Sequence, residues 1–326
     1  MSEMIDLAVV GAGPCGIAVG AAAAGTRHRT VLFDRGPLTA SLLNYPWYMT
    51  FFSTAAKLEI GGVPFTIPDP RPTRRDALAY YRRVVQHYGI EVRQHQMITE
   101  VAREGDAFRL SVRQRDGRLE TVEAGAVVIA TGGFHEPNTL DVPGEELPKV
   151  FHYYHEPYPF TDQEVLVVGA GNSAVEAALE MYRNEVRVRL VHFADTIDRG
   201  VKPWVVPDIT NRLEKGEIPV HWRHRVARID WNEVVLHHVD TGEETVVPND
   251  AVVAMTGWRA NPLLLRSLGV TIDDETGIPT HDPATMETDV PGVYIAGVLA
   301  AGHNANKIFI ENGKEHGGLI VSALDG

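Results

Sequence analysis

A glycine-rich loop near the start of the chain constrains the fold more than any other feature of the sequence. Gly11, Gly13 and Gly16 form the pattern G-x-G-x-x-G between the apolar run 7–10 and the small-residue stretch 17–24. This order predicts a strand, a tight turn and a helix, whose first N–H groups are unpaired and can hold a pyrophosphate. We therefore expect a Rossmann-like dinucleotide-binding unit here.

The strand predicted after this loop ends in an acid. Residues 29–34 read RTVLFD, so Asp34 stands where such folds carry the carboxylate that accepts a hydrogen bond from an adenosine ribose. A glycine-rich turn without a ligand is the alternative, and an acid at this spacing argues against it. The loop and the acid together predict one nucleotide site.

The same pattern returns in the middle of the chain. Residues 164–181 read EVLVVGAGNSAVEAALEM, in which Gly169, Gly171 and Ala174 form G-x-G-x-x-A between an apolar run and a helical stretch. Two nucleotide sites in one chain are therefore predicted, and the second is expected to share the strand, turn and helix of the first.

Both copies are followed by alternating apolar and polar residues. The alternation crosses an Asp-Gly turn at 116–117 and a Thr-Gly turn at 241–242, which predicts an antiparallel β-meander in each case. Each meander then leads to an apolar strand that ends in Thr-Gly, at 131–132 and at 256–257. The chain is thus predicted to hold two α/β units of the same three-layer ββα design.

The C-terminal region resembles the last strand of the flavoprotein disulfide reductases. Residues 288–302 read TDVPGVYIAGVLAAG, in which a strand at 293–296 delivers Gly297 to the carboxyl edge of a sheet. The order of segments is similar to that of low-molecular-weight thioredoxin reductases along the whole chain. This resemblance implies an FAD domain at 1–138 and 256–326, into which an NADPH domain at 139–255 is inserted.

The resemblance assigns FAD to the first site and the nicotinamide nucleotide to the second. The predicted FAD contacts are Gly11, Gly13, Pro14, Cys15, Gly16, Asp34, Arg35, Asn44, Thr50, Phe51, Ser53, Thr54, Ala130, Thr131, Gly132, Gly297, Val298, Lys307 and Ile308. The predicted contacts to NADPH are Gly169, Gly171, Asn172, Ser173, Ala174, His192, Arg199, Lys202, Thr256 and Gly257.

The end of the second unit's strand favours NADPH over NADH. His192 and Phe193 stand where NAD-dependent enzymes place an acid, and Arg199 and Lys202 follow shortly after. Cations suit a 2′-phosphate, whereas an acid would repel it. The alternative is that these two cations are ordinary surface charges and that Asp195 contacts the ribose.

Two departures separate the chain from thioredoxin reductases. Those enzymes relay electrons through C-x-x-C, whereas Cys15 is the only cysteine of this chain. The acid that usually follows the last glycine of the FAD strand is also replaced, by Val298. Four stretches instead resemble the bacillithiol disulfide reductase family: GAGPCG at 11–16, NYPWYMTFFSTAAKLEIGGVPF at 44–65, VKPWV at 201–205 and AGHNANKIFIENGKEHGG at 301–318.

This second resemblance implies a reaction. The family is associated with redox homeostasis, through NADPH-dependent reduction of the disulfide of bacillithiol, a cysteinyl sugar malate. Its single cysteine lies at the position of Cys15. The implied protein is an FAD oxidoreductase through which electrons from NADPH reach a small disulfide.

Two of these stretches can also be interpreted from their residues. The hydroxyls and aromatic rings at 50–54 suit an isoalloxazine, although a buried structural turn is the alternative. Lys307, Glu311 and Asn312 are predicted at the head of a helix, where Lys307 would stabilise a reduced, anionic flavin. Surface charge is the alternative for Glu311 and for Lys314.

Cys15 has two predicted roles. At the N-terminal end of a helix the dipole lowers the pKa of a thiol, so that a Cys15 thiolate would attack a small disulfide. Because the chain has no second cysteine, reduced flavin would have to resolve the mixed disulfide. The alternative is a small side chain under the cofactor, whose pyrophosphate competes for the same N–H groups. We take Cys15 as the catalytic candidate.

The charge balance argues against nucleic acid and anionic membranes as partners, because 43 acidic and 30 basic residues give a net charge of −13. Glycines and a proline interrupt the apolar segment 5–25, so neither a signal peptide nor a membrane span is predicted. One unpaired cysteine then favours a reducing cytoplasm. The histidine clusters at 152–155, 221–224 and 237–238 lack metal-ligand spacing, so no metal is predicted. A homodimer or tetramer is expected from base rates.

Three rival functions use the same scaffold. A ferredoxin or flavodoxin–NADP reductase would need a cationic surface for its acidic partner, which the few lysines disfavour. A flavin monooxygenase would have to exclude water from its flavin. A redox sensor would bind NADPH and FAD without turnover.

Overall fold

The computed structural model of the chain consists of two compact units. An outer unit comprises Met1–Leu43, Met49–Glu136 and Trp258–Gly326, and an inserted unit comprises Asn44–Tyr48 and Pro137–Gly257. The structure describes residues 3–134, 136–304 and 307–326, so residues 305–306 of the C-terminal motif lie outside it. The main crossings lie at 136/137 and 257/258, where the sequence predicts 138/139 and 255/256. Which nucleotide each unit holds stays a prediction.

The helices and strands follow one another in an α/β order. The first part contains β1 (Glu3–Val10), α1 (Pro14–Ala23), β2 (Thr30–Asp34), α2 (Ala40–Leu43), a 3-10 helix (Ala55–Leu58), α3 (Arg74–Tyr88), β3 (Glu91–Gln94), β4 (Met97–Glu104), β5 (Ala107–Arg113), β6 (Leu119–Ile129) and β7 (Glu136–Pro137). The inserted unit contains β8 (Val150–Phe151), a 3-10 helix (Tyr158–Phe160), β9 (Glu164–Val168), α4 (Asn172–Arg183), β10 (Arg187–His192), α5 (Val206–Glu214), β11 (Val220–Trp222), β12 (His224–Ile229), β13 (Glu233–His238), β14 (Glu244–Pro248) and β15 (Ala251–Ala254). The last part contains β16 (Trp258–Arg259), α6 (Leu263–Ser267), β17 (Val293–Ile295), a 3-10 helix (Gly297–Ala301), α7 (Ile310–Gly313) and α8 (His316–Asp325).

The sheet of the outer unit joins both ends of the chain. Its strand order is β3-β2-β1-β6-β5-β4, and β17 pairs with β6. β1 runs parallel to β2 and β6, and β17 runs parallel to residues 127–129 of β6, whereas β4 and β5 form the antiparallel meander. A C-terminal strand therefore completes the N-terminal nucleotide fold, as the sequence predicts.

The inserted unit repeats this design with one change. Its parallel sheet has the order β11-β10-β9-β15-β8, and its meander β12-β13-β14 forms a separate antiparallel sheet. The outer unit carries meander and core strand as one continuous element, β6, where the sequence predicts two strands. In the inserted unit Asn249 and Asp250 separate β14 from β15, because their side chains bond Ala251 O and Glu164 N respectively. The predicted class of two Rossmann-like α/β units is confirmed.

A glycine contact brings the C-terminal helix to the first dinucleotide loop. A Cβ on Gly317 of α8 would lie 2.5 Å from the carbonyl oxygen of Ala18 in α1, so only glycine allows the two helices to approach this closely. The small residues of α1 are largely buried against this neighbour and the sheet. The packing positions α7 and His316 beside the loop 11–16.

Each unit has its own apolar core. In the outer unit the central strands are buried on both faces, with Leu7, Val9 and Leu32 fully covered. In the inserted unit, one cluster lies under α4 and α5 and a second under the meander. Within the described residues, no helix combines the length and the apolar character needed to cross a bilayer.

Candidate active site

The first glycine loop has the shape of a phosphate cradle. Gly11 has a φ of +117°, and a Cβ there would lie 2.3 Å from the carbonyl oxygen of Ala130 at the end of β6. A Cβ on Gly16 would lie 1.9 Å from the carbonyl oxygen of Gly11, so the third glycine is required for α1 to follow the strand so closely. Gly13 caps α1 without a side-chain hydrogen bond, which leaves the helix N-terminus suited to an anion.

Asp34 connects this loop to the chain after β2. Its carboxylate accepts hydrogen bonds from the backbone N–H of Ala12 and of Gly36, each at 2.8 Å. The acid is therefore held at the carboxyl edge of the sheet, beside the loop, where a ribose would lie.

An open pocket of about 490 Å³ begins directly after Asp34. Its lining residues are Arg35, Gly36, His95, Met97, Arg113, Gln114 and Arg115. Of these the sequence predicts only Arg35. Gly36 follows it directly, and the other five come from the meander and the lead-in to β4. Their spacing along the chain carries no signal for a ligand.

The end of β6 offers an unsatisfied polar atom to the same edge. The hydroxyl of Thr131 is buried and has no hydrogen-bond partner within the described part of the chain. Ala130 before it is also buried, and Gly132 has a φ of +72°. A buried polar atom without a partner is unfavourable unless a ligand supplies one. The residues present therefore fit a flavin nucleotide at this edge.

Two glycines from the C-terminal region enclose the thiol of Cys15. A Cβ on Gly297 would lie 2.9 Å from the Cys15 sulfur, and a Cβ on Gly313 would lie 3.0 Å from it. Gly313 also faces the backbone of Gly297, whose Cα would stand 3.2 Å from the added atom. The sulfur thus fits into a slot whose other walls are two residues without side chains.

The environment of Cys15 corrects one expectation. Burial raises the pKa of the Cys15 thiol to about 12, whereas the position at a helix N-terminus predicts a lowered pKa. Desolvation of the thiolate outweighs the dipole because the sulfur is enclosed by chain on both sides. The thiol is therefore protonated at neutral pH.

His316 hydrogen-bonds the first of these glycines. Its Nδ1 lies 3.2 Å from the backbone nitrogen of Gly297, whose N–H it accepts. Burial lowers the pKa of His316, and nearby His281 lowers it further, so the ring is neutral and can accept at Nδ1. The N–H of Gly297 is therefore already bonded within the chain. The sequence does not point to His316.

The two family-specific motifs meet beside Cys15. Lys314 donates from Nζ to the carbonyl oxygen of Glu59 at 2.8 Å, and Lys57 pairs with Glu311 at 3.7 Å. These contacts join α7 to the 3-10 helix Ala55–Leu58. Glu311 and Lys314 thus hold α7 against the segment 57–59. The sequence predicts either a position facing the flavin or ordinary surface charge, and not this packing role.

The polar residues around α7 are placed differently from the prediction. α7 begins at Ile310, so Lys307 and Ile308 precede the helix instead of starting it. Asn312 bonds the chain itself, accepting from Phe309 N at 2.7 Å and donating to Lys307 O at 3.0 Å. Lys307 is exposed. Its predicted contact with flavin stays a prediction.

The aromatic motif is partly buried. Phe51 is 7% exposed, and its N–H donates to Pro72 O at 2.9 Å. Thr50 forms an isolated antiparallel bridge with Thr73, and Thr54 precedes the 3-10 helix Ala55–Leu58. Ser53 is half-buried. Asn44 is exposed and belongs to the inserted unit, whereas Thr50, Phe51, Ser53 and Thr54 belong to the outer unit. Its predicted contact with the flavin stays a prediction.

The second glycine loop repeats the cradle of the first. Gly169 has a φ of +122°, and a Cβ there would lie 2.4 Å from the carbonyl oxygen of Met255 at the end of β15. Ala174 is buried at the third position, and Ser173 is exposed in the first turn of α4. Gly171 caps α4 without a side-chain hydrogen bond. This helix N-terminus is also suited to a phosphate.

The loop after β10 is hydrogen-bonded to this cradle. Asn172 accepts at Oδ1 from Lys202 N at 3.0 Å and donates to Gly200 O at 2.9 Å. Lys202 is therefore held beside the helix N-terminus by its backbone, and Arg199 is exposed on the same loop. At the neighbouring strand end, Thr256 donates to Asn138 O at 2.5 Å and Gly257 O accepts from Asn138 N at 3.0 Å.

His192, at the end of β10, is buried and carries no charge. Its side chain is 4% exposed, and burial lowers its pKa, so the ring is neutral at neutral pH. Its Nε2 lies 3.4 Å from Oδ1 of Asp198. Asp198 lies beside the glycine loop, since a Cβ on Gly171 would lie 3.1 Å from its Oδ2. From the sequence, Asp195 is the only acid of this loop proposed as an alternative contact to the ribose.

Comparison with known proteins gives consistent matches over nearly the whole chain. Residues 8–297 match the family described as pyridine nucleotide-disulphide oxidoreductase. The bacilliredoxin reductase Bdr of Bacillus subtilis (strain 168) is 40% identical over 319 residues, which cover 97% of this chain and 96% of that protein.

Two solved structures show the same arrangement of elements. The bacillithiol disulfide reductase Bdr (YpdA) from Bacillus cereus is 38% identical, with a TM-score of 0.96 and coverage of 99% of both chains. The bacillithiol disulfide reductase Bdr (YpdA) from Staphylococcus aureus is 34% identical, with a TM-score of 0.92 and coverage of 99% of this chain and 98% of that one.

Proposed function

The chain belongs to the pyridine nucleotide-disulphide oxidoreductases and, within them, to the bacillithiol disulfide reductase family, and we propose that it uses NADPH and FAD to reduce bacillithiol disulfide. The family implies a flavin and a pyridine nucleotide as cofactors. One observation supports the proposal above the others. The chain has two dinucleotide cradles, and its only cysteine lies in the first of them.

FAD, and not a mononucleotide, is the flavin that the outer unit would hold. Gly11 and Gly16 shape a loop for a pyrophosphate, and Thr131 presents an unpartnered hydroxyl at the same sheet edge. Asp34 would accept from the ribose, and the 490 Å³ pocket that follows it can receive an adenine. A flavin mononucleotide would leave the acid and this pocket without a ligand.

NADPH is the nucleotide that the inserted unit would hold. Its pyrophosphate would lie at the N-terminus of α4, between Gly169 and Gly171. Arg199 is exposed on the loop after β10 and Lys202 is tied beside Asn172, which places two cations near the helix end. These are the two cations from which the sequence predicts a preference for NADPH.

The net reaction balances with one NADPH for each disulfide. NADPH, one proton and the disulfide give NADP⁺ and two thiols, and a bound flavin supplies the two-electron relay. Cys15 would attack one sulfur of the disulfide and release the first thiol, and the two electrons from NADPH release the second. Because its pKa is raised, the thiol must lose its proton as the disulfide binds, not before.

A protein disulfide is the second candidate substrate. The relative from Bacillus subtilis is called a bacilliredoxin reductase, and it is 40% identical to this chain. An enclosed sulfur between Gly297 and Gly313 favours a small disulfide. We also propose that the protein works in a reducing cytoplasm, because it has one unpaired cysteine, and that it forms a homo-oligomer.

The test is NADPH oxidation under argon with a panel of acceptors: bacillithiol disulfide, glutathione disulfide, coenzyme A disulfide and an oxidised bacilliredoxin. We expect turnover with bacillithiol disulfide at least about tenfold above the other small disulfides, since a shaped pocket discriminates by about 1–3 kcal/mol. Preference for bacilliredoxin would select the second candidate. No NADPH oxidation with any of the four acceptors would contradict the proposal. Separate assays with ferredoxin and with oxygen would then distinguish the three rival functions.

A further inference from the structure

β10 ends in His192, which is buried and neutral, so this strand end carries no charge of its own for a 2′-phosphate. In a dinucleotide-binding fold, the residue just after the second strand lies beside the 2′ position of the adenosine ribose. Phe193 occupies this place and is 52% exposed. Its ring is covered by a guanidinium from a different strand, because the Cζ of Arg225 lies 4.7 Å from the ring centroid.

Arg225 reaches this place through the meander of the same unit. It lies in β12, opposite His237 of β13, and the backbone N–H of Arg223 donates to Ala194 O at 2.9 Å. This bond fastens the residue after Phe193 to the start of β12. The stacked pair is thus held by two elements and does not depend on a flexible side chain alone.

Arg225 differs from the other arginines around it. Arg223 pairs with Asp240, and Arg228 pairs with Asp230 at 2.7 Å. Arg225 is exposed and, within residues 136–304, forms no ion pair with a carboxylate. In the loop after β10, Oδ1 of Asp198 lies 3.4 Å from Nε2 of His192. A protein with a net charge of −13 thus presents an unpaired guanidinium at the ribose end of a nucleotide fold.

Stacking orients the guanidinium for a phosphate. When one face lies on an aromatic ring, the N–H donors point outward in the plane of the group and can bind two oxygens at once. A 2′-phosphate offers such oxygens, whereas the 2′-hydroxyl of NADH does not.

We propose that Arg225, stacked on Phe193, binds the 2′-phosphate of NADPH and is the main determinant of preference for NADPH over NADH. The proposal rests on the proposed function, because it assigns a residue to the NADPH site of the inserted unit. It adds a contact that the glycine motif and the loop 193–202 do not contain.

The test uses two fragments of the nucleotide, adenosine 2′,5′-bisphosphate and adenosine 5′-phosphate, titrated calorimetrically into the flavin-loaded protein. We expect Arg225→Gln to weaken the bisphosphate by about tenfold to a hundredfold, as expected for a charged hydrogen bond, and to change the monophosphate less than about twofold. Arg225→Lys should restore part of the loss, since it keeps the charge without the planar fork. Phe193→Leu should cause a smaller loss.

Arg228→Gln is the matched control, because it removes the same group from the same strand where an acid already pairs with it. It should leave both fragments unchanged. In turnover, Arg225→Gln should raise KM for NADPH and leave kcat and the KM for NADH unchanged.

The outcomes separate the two levels of the proposal. A wild-type protein that binds both fragments equally would contradict the choice of NADPH itself. A wild-type preference for the bisphosphate that persists in Arg225→Gln, or an equal loss of both fragments in that variant, would overturn the role of Arg225 alone.

Discussion

The thiol of Cys15 lies so close to Gly313 that a Cβ on the glycine would stand 3.0 Å from the sulfur. These residues come from opposite ends of the chain, and α8 holds them together through its glycine contact with α1. Lys314, next to Gly313, is bound to Glu59 O at 2.8 Å. The C-terminal motif therefore determines how much space the only cysteine has.

This contact predicts the effect of one methyl group. Gly313→Ala should displace the sulfur and lower disulfide reduction by at least about tenfold, with a stability cost of about 1–3 kcal/mol from overpacking. Gly318→Ala is the control, since a Cβ there meets nothing within 4 Å and should be neutral or slightly stabilising. Thermal unfolding and NADPH oxidation would be measured for both. If the two variants had the same Tm and the same rate of NADPH oxidation, the claim that Gly313 leaves space for the Cys15 sulfur would be contradicted.

The raised pKa of Cys15 predicts slow alkylation. With a pKa of about 12, the thiolate fraction of the folded protein should rise about tenfold for each pH unit from 7 to 10 without reaching a plateau. In urea the same cysteine should level off above about pH 8.5, the ordinary value for a free thiol. Iodoacetamide labelling followed by mass measurement gives both curves. A plateau near pH 8 in the folded protein would show a thiolate stabilised by the helix.

Asp34 should control flavin retention. Its carboxylate accepts two backbone N–H groups at 2.8 Å, and Asp34→Asn replaces one acceptor oxygen by a donor. We expect FAD binding to weaken by about tenfold or more, since a charged hydrogen bond contributes about 1.5–3 kcal/mol. Flavin content after gel filtration and a fluorescence titration would measure it. Asp106→Asn, in an exposed turn, should leave binding unchanged.

His316 should make the stability of the folded protein decrease as the pH falls below neutrality. Burial lowers its pKa below that of the unfolded chain, so the unfolded state takes up the proton first as the pH falls. Its contribution is present above about pH 6.5 and declines as the pH falls toward the folded pKa. Protonation also removes the acceptor for Gly297 N–H. The difference in Tm between pH 7.5 and 5.5 should shrink in His316→Gln and persist in His87→Gln, where the histidine is exposed.

Much of the fold follows from local spacing. The glycines at 11–16 and 169–171 predict strand, turn and helix because a Cβ at Gly11 or Gly169 would collide with the next strand's carbonyl. Turn glycines and alternation predict the meanders, and the apolar run before Gly297 predicts β17. The break between β14 and β15 is not predictable in this way, since it depends on hydrogen bonds of Asn249 and Asp250.

The site is less predictable because its neighbours come from distant segments. The pKa of Cys15 depends on Gly297 and Gly313, which pack against it only in the fold. A strand-end residue can face the core or the ligand, and His192 faces the core. Arg225 approaches Phe193 from another strand, so the spacing of residues along the sequence does not predict this contact.

The central claim is that NADPH reduces a small disulfide through this chain and that Cys15 takes part. The most direct measurement follows the flavin absorbance under argon as NADPH and then bacillithiol disulfide are added to the wild type and to Cys15→Ala, with thiols counted at the end. The account predicts bleaching by NADPH in both proteins. It also predicts that, after the disulfide is added to the wild type, the flavin absorbance returns rapidly and two thiols form per NADPH. In Cys15→Ala the absorbance should return at least about a hundredfold more slowly. Equally fast recovery in the variant, or no recovery with the disulfide in either protein, would contradict it.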